Sequence, residues 1–245
     1  MNTALSSPPA VRAGSVPALR IFDHAAGARR TPATHVLFTC RTVNVLMAAL
    51  LLVILLPLML VIALAVRLSS PGPIFYSQLR VGVDRRGPRP GGWAARRQVD
   101  YGGRLFWIYK FRTMYQDSDR GQVWARPDDD RITPLGRLLR RYRLDELPQL
   151  WNVLRGDMNV VGPRPEQPEI FVTLRDRIDH YPRRQRVLPG ITGLAQISQA
   201  YDSCEDDVRS KLTFDLAYIE RMSPLQDLAI LARTFPVVLL RRGGW

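Results

Sequence analysis

From Val45 to Val66 the chain reads VLMAALLLVILLPLMLVIALAV, without a charged residue. At 1.5 Å per residue a helix of that length reaches about 33 Å, enough to cross the apolar core of a bilayer. The competing reading, a helix buried in a water-soluble core, fits poorly with so long a polar-free stretch. Pro57 sits near the middle of the run. It has no amide proton, and its ring clashes with the carbonyl of Val53. Arginines stand on both flanks: Arg29, Arg30 and Arg41 before the run, Arg67, Arg80, Arg85 and Arg86 after it. Basic residues beside a membrane segment favour the cytoplasmic side. A re-entrant helix, broken at Pro57, satisfies both flanks by dipping into one leaflet and returning. A kinked spanning helix is the alternative.

The rest of the chain is strongly basic. Its 245 residues carry a formal net charge of +13, most of it on arginine. Such a balance implies an anionic partner: nucleic acid, anionic lipid or a phosphorylated substrate. Arginine grips phosphate with a planar fork, where lysine acts as a point charge. Residues 84–104 form a basic Gly/Pro-rich loop around Trp93. Beside a membrane segment, anionic lipid explains that loop without nucleic acid. The two cysteines, Cys40 and Cys204, form no CxxC pattern and suggest neither a zinc site nor a disulfide framework. His24, His35 and His180 are scattered, which disfavours histidine-based chemistry. There is no Rossmann GxGxxG, P-loop or GxSxG. The N-terminal stretch is rich in Ala, Ser, Pro, Gly and Arg and reads as a flexible tail. It is no secretory signal, because the apolar run comes too late and is too long.

Local patterns predict the remaining elements. Ser69 to Gln78 opens with Pro and Gly and turns β-like, and Leu105 to Met114 reads as a strand. Arg137 to Leu154 has helical apolar spacing, with Pro148 interrupting it or starting a second helix. Phe171 to Arg177 and Glu205 to Arg221 are further helices. Ser223-Pro224 looks like an N-cap followed by proline at the first helical position, opening a helix over Leu225 to Leu240. That apolar helix suits either the membrane interface or ordinary core packing.

Three clusters carry candidate chemistry. In Tyr109-Lys110-Phe111-Arg112-Thr113-Met114, strand alternation puts Lys110 and Arg112 on one face. Either an anion lies between the two cations or the face is merely solvated. In Arg140-Arg141-Tyr142-Arg143-Leu144-Asp145-Glu146-Leu147-Pro148-Gln149, the acids could be plain surface salt bridges. Their flanking leucines instead place them at the edge of packed structure, where a carboxylate can be a nucleophile or a magnesium ligand. Nearby arginines favour the ionised form. On a helix Arg140 and Asp145 project about 140° apart but can still line one pocket. In Gly156 to Glu166, the Gly162-Pro163-Arg164-Pro165 turn holds Arg164 rigidly, at little entropic cost on binding. Downstream, Val187 to Gln196 contains a second rigid Pro-Gly turn followed by small residues.

In this order the clusters resemble the bacterial sugar transferase family, the monotopic phosphoglycosyl transferases, over about Arg41 to Arg242. The matching stretches are the apolar helix with Pro57, SSPGPIFYSQLRVG, GRLFWIYKFRTM, DDDRITPLGRLLRRYRLDELPQLWNVLRGDMNVVGPRP and VLPGITGLAQI. The resemblance implies an α+β, mainly helical fold, in which a re-entrant membrane helix carries a small cytosolic domain lying on the membrane. It divides the chain into a tail (1–38), a membrane-embedded helix broken at Pro57 (39–68) and a catalytic domain (69–245). It implies transfer of a sugar-1-phosphate from a UDP-sugar to undecaprenyl phosphate at the bacterial cytoplasmic membrane, starting exopolysaccharide or other surface glycan synthesis. The family's acidic dyad matches Asp145 and Glu146. Asp145 would be the nucleophile that attacks the β-phosphate, with Mg2+ lying by the dyad and Asp145 among its ligands. Lys110, Arg112, Arg140, Arg164 and Glu169 match substrate-binding positions. Anionic lipids and a homo-oligomer are further expected partners, and nucleic acid is not.

Two departures stand out. Leu56 replaces the serine that often precedes the family's re-entrant proline, removing a hydroxyl that could bond a freed carbonyl. Residues 87–101 look like an insertion. Larger members carry extra N-terminal spanning helices, for which this sequence leaves no room. Two other functions compete: a membrane phosphatase or pyrophosphatase using Asp145, and a non-catalytic membrane-anchored scaffold of a polysaccharide assembly complex.

Overall fold

A computed structural model describes residues 32–85, 100–115, 129–199 and 205–239. The expected tail, most of the basic loop and Cys204 fall outside these residues. The chain divides into residues 1–30 and a single compact unit, residues 31–245. The apolar helix is part of the larger unit.

That helix, α1 (Thr34–Ser69), runs for 36 residues with Pro57 inside it. The interruption expected at Pro57 is absent, since the chain stays helical on both sides. Only 11% of its most apolar eighteen-residue window is buried, unlike the core helix of a soluble protein. Cys40, Asn44 and Ala48 are buried at four-residue spacing, as are Ile62 and Val66. The first group faces β3 (Asn159–Val161), α3 (Gln149–Arg155) and α7 (Pro224–Leu239), and the second packs on Phe111 and Leu139. Between them Val53, Ile54, Leu58, Leu60 and Val61 stand exposed.

Two arginines fasten the ends of α1. The Arg41 guanidinium donates to the carbonyls of Val153 and Met158 and to Asn159 Oδ1. It thereby meets the exposed carbonyls where α3 ends. Arg112 closes the other end of α1. It donates to the carbonyls of Pro71 (2.6 Å), Ser70 (2.6 Å) and Val66 (3.2 Å) and to Ser70 Oγ (2.9 Å).

β1 (Phe75–Val81) pairs antiparallel with β2 (Leu105–Phe111), Phe75 opposite Phe111 and Val81 opposite Leu105. The Asn152 side chain satisfies the free edge of β2. It accepts from the Tyr109 amide and donates to the Trp107 carbonyl.

The helix predicted over 137–154 is two helices. α2 (Pro134–Arg141) is capped by Thr133, whose Oγ1 accepts from the Gly136 amide. Arg143 then takes a left-handed conformation (φ 53°), and Leu144–Glu146 form one 3-10 turn. α3 (Gln149–Arg155) follows Pro148 and ends at Gly156 with φ 90°. β3 (Asn159–Val161) lies parallel to β4 (Gly190–Thr192). The backbones touch there: a Cβ on Gly190 would come within 2.1 Å of the Gly162 amide nitrogen. α4 (Pro168–Arg177) and a 3-10 segment (Tyr181–Arg186) join the two strands. α5 (Leu194–Ser198), α6 (Glu205–Glu220) and α7 (Pro224–Leu239) complete the unit. Ser223 caps α7 as predicted, its Oγ accepting from the Gln226 amide at 3.2 Å.

Candidate active site

The 3-10 turn between α2 and α3 buries both acids of the pair, Asp145 to 7% and Glu146 to 5% exposure. Each has a different surrounding. Glu146 is saturated with cations: Oε1 meets Lys110 Nζ at 2.9 Å and Arg164 Nη2 at 2.6 Å, and Oε2 meets Arg143 Nη1 at 3.7 Å. Burial alone would raise the Glu146 pKa, but Arg164 and Lys110 outweigh it and hold the carboxyl well below the usual range. Burial lowers the Lys110 pKa, with Glu146 opposing. Among the described residues, none hydrogen-bonds or ion-pairs with Asp145. Burial pushes its pKa up, with Lys110, Arg140 and Arg164 pulling the other way and Glu146 adding to the rise. A carboxylate without a bonded partner in a cationic pocket is placed to attack an electrophile or take a metal ion.

Arg164 comes from the turn after β3. Its backbone carbonyl accepts from Arg184 Nη2 at 2.9 Å, and the Pro165 carbonyl accepts from Arg80 Nη1 at 3.1 Å. Arg184 is itself buried and fixed, with Nε on Asp215 Oδ2 (2.8 Å) and Nη1 on Glu166 Oε1 (3.3 Å) and Tyr181 Oη (2.5 Å). Arg164 thus enters the site from a braced turn. Arg140 enters from α2, where its Nε donates to Thr113 Oγ1 at 2.9 Å.

The structure brings Asp145, Glu146, Lys110, Arg140 and Arg164 together and takes two expected residues elsewhere. Arg112 is not beside Lys110. β2 ends at Phe111, so strand alternation no longer governs the next residue, and Arg112 turns to the carbonyls at the end of α1. Glu169 is exposed in the first turn of α4. The downstream acid built into the site's frame is instead Glu166, through Arg184. Arg143 joins the Glu146 cluster unforeseen, because its left-handed backbone is invisible in a helical pattern. The Arg184–Asp215 pair spans 31 residues and left no local signal.

The described residues contain no group of three or more His, Cys, Asp or Glu that could hold a metal ion. Asp145 is the one uncommitted carboxylate of the dyad. That donor set suits a magnesium ion, which keeps several waters and takes phosphate oxygens along with one or two carboxylates.

Fold and site together define a class: a small α+β unit built on one long apolar helix, with a buried acid pair among lysine and arginine cations. The family profile described as bacterial sugar transferase matches residues 35–241. The chain belongs to that family. It is 39% identical over 84% of its length to the UDP-N-acetylgalactosamine-undecaprenyl-phosphate N-acetylgalactosaminephosphotransferase of Aeromonas hydrophila, and spans 45% of that protein. It is 40% identical over 81% of its length to a UDP-glucose:undecaprenyl-phosphate glucose-1-phosphate transferase of Caulobacter vibrioides, spanning 69% of it. The exopolysaccharide production protein ExoY of Sinorhizobium fredii is 36% identical over 84% of the chain, which spans 87% of that relative.

Proposed function

We propose that this protein transfers a sugar-1-phosphate from a UDP-sugar to undecaprenyl phosphate on the cytoplasmic face of a bacterial membrane, as a step of surface polysaccharide synthesis. The observation that carries this reading is the division of labour in the dyad: Glu146 locked among three cations, Asp145 buried beside it without a bonded partner. A scaffold has no use for a buried carboxylate left so, because its desolvation costs stability with no return.

Asp145 is the nucleophile. One carboxylate oxygen attacks the β-phosphorus, the bond from that phosphorus to the bridging oxygen breaks, and UMP leaves. An oxygen of undecaprenyl phosphate then attacks the phosphosugar phosphorus and releases the Asp145 carboxylate, giving the diphosphate-linked lipid. The diphosphate charge that would repel Asp145 is met by Arg140, Arg164 and Lys110. Glu146 holds Lys110 and Arg164 in place. Asp145 would hold a magnesium ion, which would supply further neutralisation of the diphosphate.

Both ends of α1 face the cytoplasm. Arg41 and Arg112 fasten the two ends to the same charged unit, which has no place inside hydrocarbon. The exposed apolar stretch from Val53 to Val61 is the part that enters lipid. Proline can bend a helix while leaving it α-helical on either side.

Incubation with UDP-sugar alone, followed by mass spectrometry, tests the chemistry. The expected result is a sugar-phosphate adduct on the Asp145 peptide, with UMP released once per enzyme until lipid phosphate is added. UDP-glucose, UDP-galactose and UDP-N-acetylated sugars are screened in parallel, since relatives of near-equal identity are named for different sugars. Absence of the adduct, together with kinetics requiring both substrates at once, would mean direct transfer.

A further inference from the structure

Arg140 occupies an unusual position for a cation in an ion-rich site: its anchor is neutral. Among the described residues the one hydrogen bond of its side chain runs from Nε to the Thr113 hydroxyl. The guanidinium has five N–H donors, and this bond uses one. Every other cation at the site is bonded to a carboxylate, Lys110 and Arg164 to Glu146 and Arg143 to the same group.

The local fold is built to make that contact. Gly136 lies so close to Thr113 that a Cβ there would come within 2.1 Å of the Thr113 carbonyl oxygen. The Thr133 amide, at the cap of α2, donates to that same carbonyl at 3.0 Å. The start of α2 therefore rests on the backbone of Thr113. Arg140 is four residues after Gly136, hence on the same face of the helix, and falls on the Thr113 side chain. Thr113 itself is 6% exposed, so its rotamer is fixed by packing. A carboxylate at this position would also orient Arg140 but would cancel its charge. A hydroxyl orients the fork and leaves the charge free.

We infer that Thr113 is a positioning residue for Arg140: its hydroxyl holds the guanidinium by Nε and directs the two terminal amino groups, which no described carboxylate bonds, at the diphosphate of the nucleotide. The inference rests on the phosphosugar transfer proposed above. It is tested on the full-length protein in detergent with UDP binding by calorimetry and UMP release as separate readouts. Thr113→Val keeps the shape and removes the acceptor. It should weaken UDP binding and lower kcat/KM by about tenfold, the equivalent of about 1.4 kcal/mol. Thr113→Ser should restore most of both. In an Arg140→Lys background, where no Nε–H fork exists, Thr113→Val should cause no further loss.

Unchanged UDP binding in Thr113→Val overturns the inference. So does an equal loss in the Arg140→Lys background, or a serine variant as poor as the valine one. A Thr113→Val protein without a cooperative melt makes Thr113 a structural residue and overturns it too. If the wild type binds UDP but transfers no phosphosugar, the proposed activity fails, and the binding comparison still decides the role of Thr113.

Discussion

The carboxyls of Asp145 and Glu146 belong to adjacent residues and are pushed in opposite directions. Burial acts on both. Glu146 has three cations to offset it and Asp145 has none in bonding contact, so only Asp145 titrates upward. In the proposed transfer Asp145 attacks as its carboxylate, so the proton that burial retains must be lost first. In the magnesium-free protein that ionisation should lie above the ordinary range of an aspartate. A carboxyl NMR titration of the magnesium-free protein checks this, because a bound cation would itself pull the pKa down, and an Asp145 that titrates within or below the ordinary range would show that the neighbouring cations outweigh burial. Arg164 makes a different kind of contribution, as a planar fork on a braced turn. Arg164→Ala should lose about 2–4 kcal/mol of transition-state stabilisation, comparable to removing another preorganised donor. Arg164→Lys should recover part of it, because a point charge replaces the bidentate grip only partly. Steady-state kinetics on both variants decide, and an alanine variant with wild-type turnover would remove Arg164 from the site.

Among the elements, α1 is joined to the backbone amides of β3 through Asn44. Asn44 Oδ1 accepts from the amides of Val160 (2.8 Å) and Val161 (3.0 Å), and its Nδ2 donates to Asp227 Oδ2 (2.8 Å). Tyr218 Oη donates to the other oxygen of Asp227 at 2.8 Å. Asn44→Ala leaves two buried amides without an acceptor, at a cost of about 2–4 kcal/mol. Its thermal melt in detergent should fall, and amide exchange at Val160 and Val161 should quicken; an unchanged melt would show that water replaces the side chain. This joint was not legible beforehand. The apolar run drew attention to Val45 onward, and Asn44 stands one residue outside it. Elements with their own local signal were readable, such as α7 behind its Ser-Pro cap and β2 in its aromatic, β-branched run. Pro148 marked the start of α3, but the end of α2 was not legible, because apolar spacing continues across Tyr142 and Arg143 while the backbone turns left-handed at Arg143. The burial of Asp145 and Glu146 was readable from their flanking leucines, and the fixed turn of Arg164 from its Gly-Pro-Arg-Pro sequence. Arg112 was misplaced because the rule applied to it, strand alternation, stops one residue earlier.

For the whole molecule, the open relation is between α1 and the bilayer. The 25 residue-to-residue steps from Arg41 to Val66 would rise about 37 Å as a straight helix, more than the hydrocarbon thickness of about 30 Å. A spanning α1 would therefore put Arg41 and Val66 on opposite faces. Yet Arg41 bonds the end of α3, while Arg112, from the end of β2, bonds Val66 and Ser70. Pulling either end across the membrane would strip an arginine of its carbonyl partners and drag charged structure into lipid, at a cost of several kcal/mol. The expected outcome is that cysteines placed before Arg41 and after Arg67 both react with a membrane-impermeant reagent from the cytoplasmic side, and neither from the outside. Pro57→Ala restores an amide donor for the Val53 carbonyl and removes the ring clash, so it should move a fraction of molecules toward a straight span. In that fraction one cysteine becomes reachable from the periplasm and activity falls with it, because the joints at Arg41 and Arg112 cannot both persist. Wild-type protein with one periplasmic cysteine and full activity would overturn this arrangement.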